Sequence, residues 1–231
     1  NPEMLQENRR PPEAEVSAIE CALMLIEKYK LQGKICHCST REGIERIRNA
    51  KQKGVAVTCE VAPHHLYFDE SMITDENRNW FKVNPPLRGK GDRMALIKAL
   101  REGIIDFLAS DHAPHTKEEK KKGIAGFPHL DTYGAFATWL MGEHNFALQD
   151  IARVCAYNPG QFVSHFTDTR YGKIEEGYAA SFTIIDPEAP AIVSSADLKT
   201  KCRWSPFEGV EFPGQVLYTI HKGNILYTRE A

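Results

Sequence analysis

The feature that most constrains this chain is an alternation of period. Segments with apolar residues three and four apart give way to short apolar runs, and the order repeats. Val16, Ile19, Leu23 and Ile26 follow Pro12 at helical spacing, with Glu13 and Glu15 in the first turn and Lys28 and Lys30 in the last. Gln32-Gly33 ends that helix, and Lys34–Cys38 reads as a strand. Ser39-Thr40 can cap a helix that carries Ile44 and Ile47 inward to about Gly54. Val55–Val61 is a second strand. After a loop, Arg93–Arg101 is a helix, Gly103 stops it, and Ile104–Ala109 is a third, mostly apolar strand. Such strands between amphipathic helices predict an α/β fold: a parallel sheet covered by helices, open or closed into a barrel.

Three further helices are expected, near Thr132–Gly142, Leu148–Ala156 and Pro159–His165. The texture changes after Thr169. Gly172–Gly177 reads as turn, brief extended piece, turn. Strand-like runs follow at Ser181–Ile185, Val216–Ile220 and Ile225–Tyr227. This predicts a small β appendage.

Composition removes several classes of function. The 29 basic and 31 acidic side chains leave a net charge of −2, which gives no reason to expect nucleic acid or an anionic membrane as partner. The basic run Lys120–Lys122 is preceded by Glu118 and Glu119 and reads as a solvated loop. No window of about 18 apolar residues could span a bilayer. The first residues, Asn1–Met4, lack the basic and apolar regions of a signal peptide, and the N-terminal stretch is Pro-rich at Pro2, Pro11 and Pro12. The six cysteines therefore read as reduced thiols of a cytoplasmic protein. Cys36-x-Cys38 is too closely spaced for a Cys-x-x-Cys zinc or redox motif.

Function in a parallel α/β architecture collects at the carboxyl ends of the strands. Three strands here end in groups that bind metal or move protons: Cys36-His37-Cys38-Ser39, Cys59-Glu60, and Ser110-Asp111-His112-Ala113-Pro114-His115. Asp111 is the sharpest signal, because a carboxylate at the tip of an apolar strand is costly without a partner. It reads as a metal ligand and general base toward a water, or more plainly as a loop anchor. His37 is open between ligand and packed core residue. His64-His65 look like a ligand pair, but on extended backbone they point opposite ways, so at most one faces a site. In Lys82–Arg88, Asn84 and Arg88 could grip a carboxylate or imide edge, or the loop is an ordinary proline turn.

Taken together, these segments resemble the dihydroorotases, in the cyclic amidohydrolase branch of the amidohydrolase superfamily. The resemblance lies in Ile35–Thr40, Val57–Leu66, Val83–Arg88, Ala109–Thr116 with Glu118-Glu119-Lys120, the glycine-containing Gly126–Thr132, and Asn158-Pro159. It implies a metal-dependent barrel hydrolase that interconverts N-carbamoyl-aspartate and dihydroorotate in pyrimidine biosynthesis. Two zinc ions are expected, and a third where Cys36 and Glu60 match eukaryotic-type members. His37 would bind the second zinc ion. Asp111 would bind the other and shuttle a proton between the attacking hydroxide and the ring nitrogen. Asn84 and His115 would hold the substrate, and backbone at Ala125-Gly126 would close over it.

One departure matters. The family's His-x-His pair, its bridging carboxylated Lys or Asp, and its next His have no counterparts in this sequence. The chain therefore reads as a partial (β/α)8 TIM-type barrel, about units six to eight, over 1–170, with a β-sandwich appendage over 171–231. His37 and Asp111 alone are too few ligands for two metals. The expectation is activity only with an N-terminal half of the same enzyme, in a homo-oligomer that could include aspartate transcarbamoylase. The competing readings are a non-catalytic scaffold for such a partner, and a related cyclic amidase such as an allantoinase or dihydropyrimidinase.

Overall fold

A computed structural model describes residues 10–229 of the chain, so Pro2 and the Asn1–Met4 reading lie outside the described residues. The chain divides into two compact units, 1–128 and 129–231.

The first unit begins with helix α1 (Pro12–Tyr29), which buries Val16, Ile19, Leu23 and Ile26 and ends in a left-handed Lys30. Strand β1 (Gly33–Ile35) and helix α2 (Arg41–Gln52) come next, the helix capped by the Thr40 side chain on the Gly43 N–H. Then come β2 (Val57–Val61), the short helix α3 (Pro63–Tyr67), α4 (Lys90–Arg101), β3 (Phe107–Leu108) and α5 (Lys117–Lys121). The three strands form one parallel sheet in the order β1-β2-β3. Ile44, Ile47, Cys59, Val61, Leu96, Leu100 and Ile105 are buried around it. A second apolar cluster stacks Phe68 edge-on against Phe81 at 5.0 Å and places Phe127 6.1 Å from Phe81.

The strands are shorter than their apolar runs. The first stops at Ile35 because His37 turns into the left-handed region (φ 37°). The third loses Ile104 and Ile105, whose N–H groups bond back to Ala99 O and wrap the end of α4. Asp106 N–H then joins the sheet through Cys59 O at 3.0 Å.

The second unit holds α6 (Tyr133–His144), α7 (Leu148–Ala152) and α8 (Asn158–Ser164). Helix α7 passes into a π turn at Arg153–Tyr157 where the periodicity predicts continued α-helix. Pro159 explains the change: it has no N–H to give Cys155, and its ring would crowd that carbonyl. The β part contains β4 (Phe182–Asp186), β5 (Ala191–Ile192), β6 (Glu211–Phe212), β7 (Gln215–His221) and β8 (Asn224–Thr228). They pair antiparallel as β4-β7-β8 and as a β5-β6 ribbon, the latter absent from the sequence expectation. Gly172–Gly177 stays in bends and turns, without the brief extended piece.

The expected division at residue 170 falls inside this second unit. Two contacts tie its helices to the residues beyond that point. Thr138 Oγ1 accepts from the Gly214 N–H at 2.9 Å. Helix α8 lies so close to Gly172 that a Cβ on Gly160 would stand 2.6 Å from the Gly172 nitrogen.

Burial predicts a contrast between two isoleucines. Ile47→Ala, at a fully buried position, lowers stability in urea unfolding by about 2–5 kcal/mol. Ile225→Ala, at 63% exposed, changes it by under about 0.5 kcal/mol. Equal effects would contradict the packing described.

Candidate active site

Parallel pairing sets the site. Ile35 pairs with Cys59, and Val61 pairs with Leu108, so the three carboxyl ends lie side by side. Cys38 N–H donates to Glu60 O at 2.9 Å and Ala109 N–H to Val61 O at 3.0 Å, extending the alignment past the strands. Cys36 and His37, Glu60, and Asp111 leave from this one edge.

Two of these residues share an unusual backbone. His37 (φ 37°) and Asp111 (φ 43°) both occupy the left-handed region, which costs free energy for a residue with a side chain. Held strain of this kind clusters at functional positions. His37 Nδ1 is buried and has no hydrogen-bond partner among the described residues. A ring nitrogen withheld from water in that way suits a ligand atom better than a packing atom.

The four groups feel one another electrostatically. Burial pushes the Asp111 carboxyl above the usual carboxylate range; His37 opposes that rise and Glu60 adds to it. Burial, followed by the Glu60 charge, likewise raises the Cys36 thiol. Glu60 is ion-paired to Lys34. Among the described residues no group of three or more His, Cys, Asp or Glu side chains is arranged to hold a metal ion. His37, with its buried Nδ1, and Asp111 carry donor types that zinc accepts. Of the Cys36–Glu60 pair, the Glu60 carboxylate is engaged by Lys34 in this structure.

The histidine pair departs from the expectation. His64 and His65 sit on the helical turn α3, not on extended backbone, and both are buried. His64 Nε2 lies 3.8 Å from Asp111 Oδ2, beyond hydrogen-bond reach but close enough to interact. Its ring stands edge-on to Phe127 at 5.2 Å. His65 Nε2 donates to Pro85 O at 3.0 Å, and burial pulls its pKa down to about 4, so it is neutral at pH 7.

The expected substrate residues gather nearby in the same unit. Asn84 is exposed and precedes a cis peptide to Pro85. The Gly126 N–H donates to Lys82 O at 3.0 Å, joining that loop to Ala125-Gly126. Gly126 has φ 139°, and a Cβ there would meet Ala113 O at 2.6 Å and His115 Cδ2 at 3.0 Å. Only glycine allows that approach. His115 Nδ1 lies 3.6 Å from Glu119.

Arg88 differs from a free ligand grip. It is buried, and its guanidinium reaches Ser39 Oγ at 3.1 Å, Arg10 O at 2.7 Å and Glu15 at 3.5 Å. Glu15 is the hub. Its carboxylate accepts from Ser39 N–H at 2.9 Å, from Thr40 N–H at 3.1 Å, from Thr40 Oγ1 at 3.0 Å, and from Ser39 Oγ. The acid expected to serve the helix dipole thus holds the segment just after His37. Nothing in helical periodicity could reveal that, because the partners lie 24 and 25 residues away.

With this geometry in place, relatives are informative. The model of the amidohydrolase family matches residues 9–226. The chain belongs to the amidohydrolase family. A dihydroorotase of Lactobacillus gasseri is 36% identical over 222 residues, covering 94% of this chain and 51% of that protein. A dihydroorotase of Halalkalibacterium halodurans is 37% identical over 210 residues, covering 89% and 48%. The crystal structure of a dihydropyrimidinase from Brevibacillus agri matches with TM-score 0.89 at 25% identity, covering 96% of this chain and 50% of that one. The chain spans about half the length of the curated relatives it matches.

The Glu15 hub generates a stability prediction. Glu15→Ala leaves Arg88 buried without its carboxylate and lowers stability by about 3–5 kcal/mol in urea unfolding. Adding Arg88→Met recovers part of the loss. An Ala variant as stable as the parent would show that the hub is not coupled to folding.

Proposed function

We propose that this chain supplies part of the active centre of a metal-dependent hydrolase of cyclic amides, with dihydroorotate and N-carbamoyl-aspartate as the substrate pair. The observation that carries the reading is the pair of left-handed residues, His37 and Asp111, just past the carboxyl ends of the two strands that flank β2 in one parallel sheet. The dihydroorotase relatives support the choice of ring. The proposal includes barrel units six to eight over 1–170, a β domain over 171–231, and a companion N-terminal half that brings the remaining ligands. It also places the enzyme in the cytoplasm.

His37 and Asp111 would hold zinc, which when bound polarises the carbonyl and makes water nucleophilic at neutral pH. The residues of this chain do the rest. Asp111 takes the proton of the attacking water and passes it to the ring nitrogen. One C–O bond forms and becomes part of the new carboxylate, the ring C–N bond breaks, and the nitrogen takes the proton to leave as the neutral terminal NH2 of the carbamoyl group. Asn84 and His115 orient the substrate, His115 toward its carboxylate, and the Ala125-Gly126 backbone closes over it. Pre-set orientation of this kind lowers the entropic part of the barrier.

A second reading has one observation in its favour. The dihydropyrimidinase crystal structure superposes closely on this chain, so a related ring such as dihydrouracil is the alternative substrate.

With the companion half present, the expected result is turnover of dihydroorotate, none by the 231-residue chain alone, and little with dihydrouracil. Asp111→Asn should cut turnover by about 10²–10⁴ while the fold survives by circular dichroism. Activity of Asp111→Asn within a few-fold of the parent removes it from the mechanism. A preference for dihydrouracil selects the second reading.

A further inference from the structure

The basic run expected to be a solvated loop contains a fully buried cation. Lys120 is 0% exposed, whereas Lys121 and Lys122 are exposed. The local sequence explains the turn inward. Thr116 and Glu119 form a capping box: Glu119 N–H donates to Thr116 Oγ1 at 3.2 Å, and Thr116 N–H to Glu119 at 2.8 Å. That winds Lys117–Lys121 into one helical turn with Lys120 on its inner side.

The Lys120 ammonium donates to Ile124 O at 2.9 Å, to Lys82 O at 3.0 Å and to Gly126 O at 3.1 Å. An ammonium has three protons, so these carbonyls use all of them. The Phe127 ring centroid lies 5.3 Å from Nζ, within cation–π range. Burial, with the Lys82 ammonium adding to it, lowers the amine to about 8, so it stays protonated at neutral pH. A buried charge is costly unless well compensated, and here carbonyl dipoles from two separate loops compensate it.

Those two loops carry the proposed substrate contacts. Lys82 is two residues before Asn84. Gly126 is itself one of the contacts and packs against His115. The one amine therefore bonds Gly126, which adjoins His115, and the Asn84 loop through Lys82. We propose that Lys120 is a positioning residue for substrate binding, clipping the Lys82–Arg88 loop to the Ala125-Gly126 loop so that Asn84, His115 and Gly126 face one ligand. This rests on the reading that these residues hold the substrate.

Lys120→Met tests it in the complete enzyme, beside Asn84→Ala. The expected result is a KM for dihydroorotate raised about tenfold or more, with kcat within about threefold, the pattern that loss of uniform substrate binding gives. Amide hydrogen exchange without substrate should speed up in 82–88 and 123–127 and stay unchanged in β1, β2 and β3. An unmoved KM overturns the proposal, as does unchanged exchange in the two loops. Exchange accelerated throughout the unit, or failure of both Lys120→Met and Lys120→Gln to fold, also overturns it by making Lys120 a support of the whole unit. If Asn84→Ala raises KM and Lys120→Met does not, Lys120 alone loses its role. If neither raises KM, the substrate assignment fails as well.

Discussion

Parallel pairing of three short strands is the constraint on which the site depends. Parallel strands run the same way, so their carboxyl ends must share an edge. A shift of one residue in the β1-β2 register would point His37 or Glu60 to the wrong face. The Glu15 carboxylate grips Ser39 and Thr40 just after His37, with Arg88 closing the network from another loop. A helix that looks like outer cover thus helps fix the chemistry at the strand ends.

The alternation of helix and strand was legible in the sequence because periodicity reports burial directly. α1, α2 and α4 lie where the apolar spacing puts them. Strand ends were less legible. Ile104 and Ile105 are as apolar as Phe107 and Leu108, yet they serve a helix terminus, and residue type alone cannot divide one apolar run between two structures. The site was partly legible: polar residues at the tips of apolar strands stood out. Its supports did not. Lys120 looked solvated because neighbouring lysines and glutamates are solvated. His64 and Glu15 find their partners only through the tertiary fold. The extended reading of His64-His65 failed because Pro63 starts a helical turn there, Pro being well suited to a first helical position.

Two tiers emerge from the chemistry. His37 and Asp111 stand where strain and an orphaned ring nitrogen favour ligation. Asn84, His115 and Gly126 stand where loops are gathered by buried donors. Among the described residues the first tier is not joined by a third grouped His, Cys, Asp or Glu, and the chain spans about half the length of each of these relatives. The proposed metal-assisted hydrolysis draws on the family membership and on this donor set, and the proposal assigns the further ligands to a companion half.

Everything proposed for the chemistry requires that His37 and Asp111 face one metal centre. Anomalous diffraction at the zinc edge, on crystals of the protein with its companion half, reads this without relying on turnover. Zinc peaks are expected about 2.0–2.2 Å from the His37 imidazole and from the Asp111 carboxylate. Full zinc occupancy with neither residue in contact would contradict the assignment.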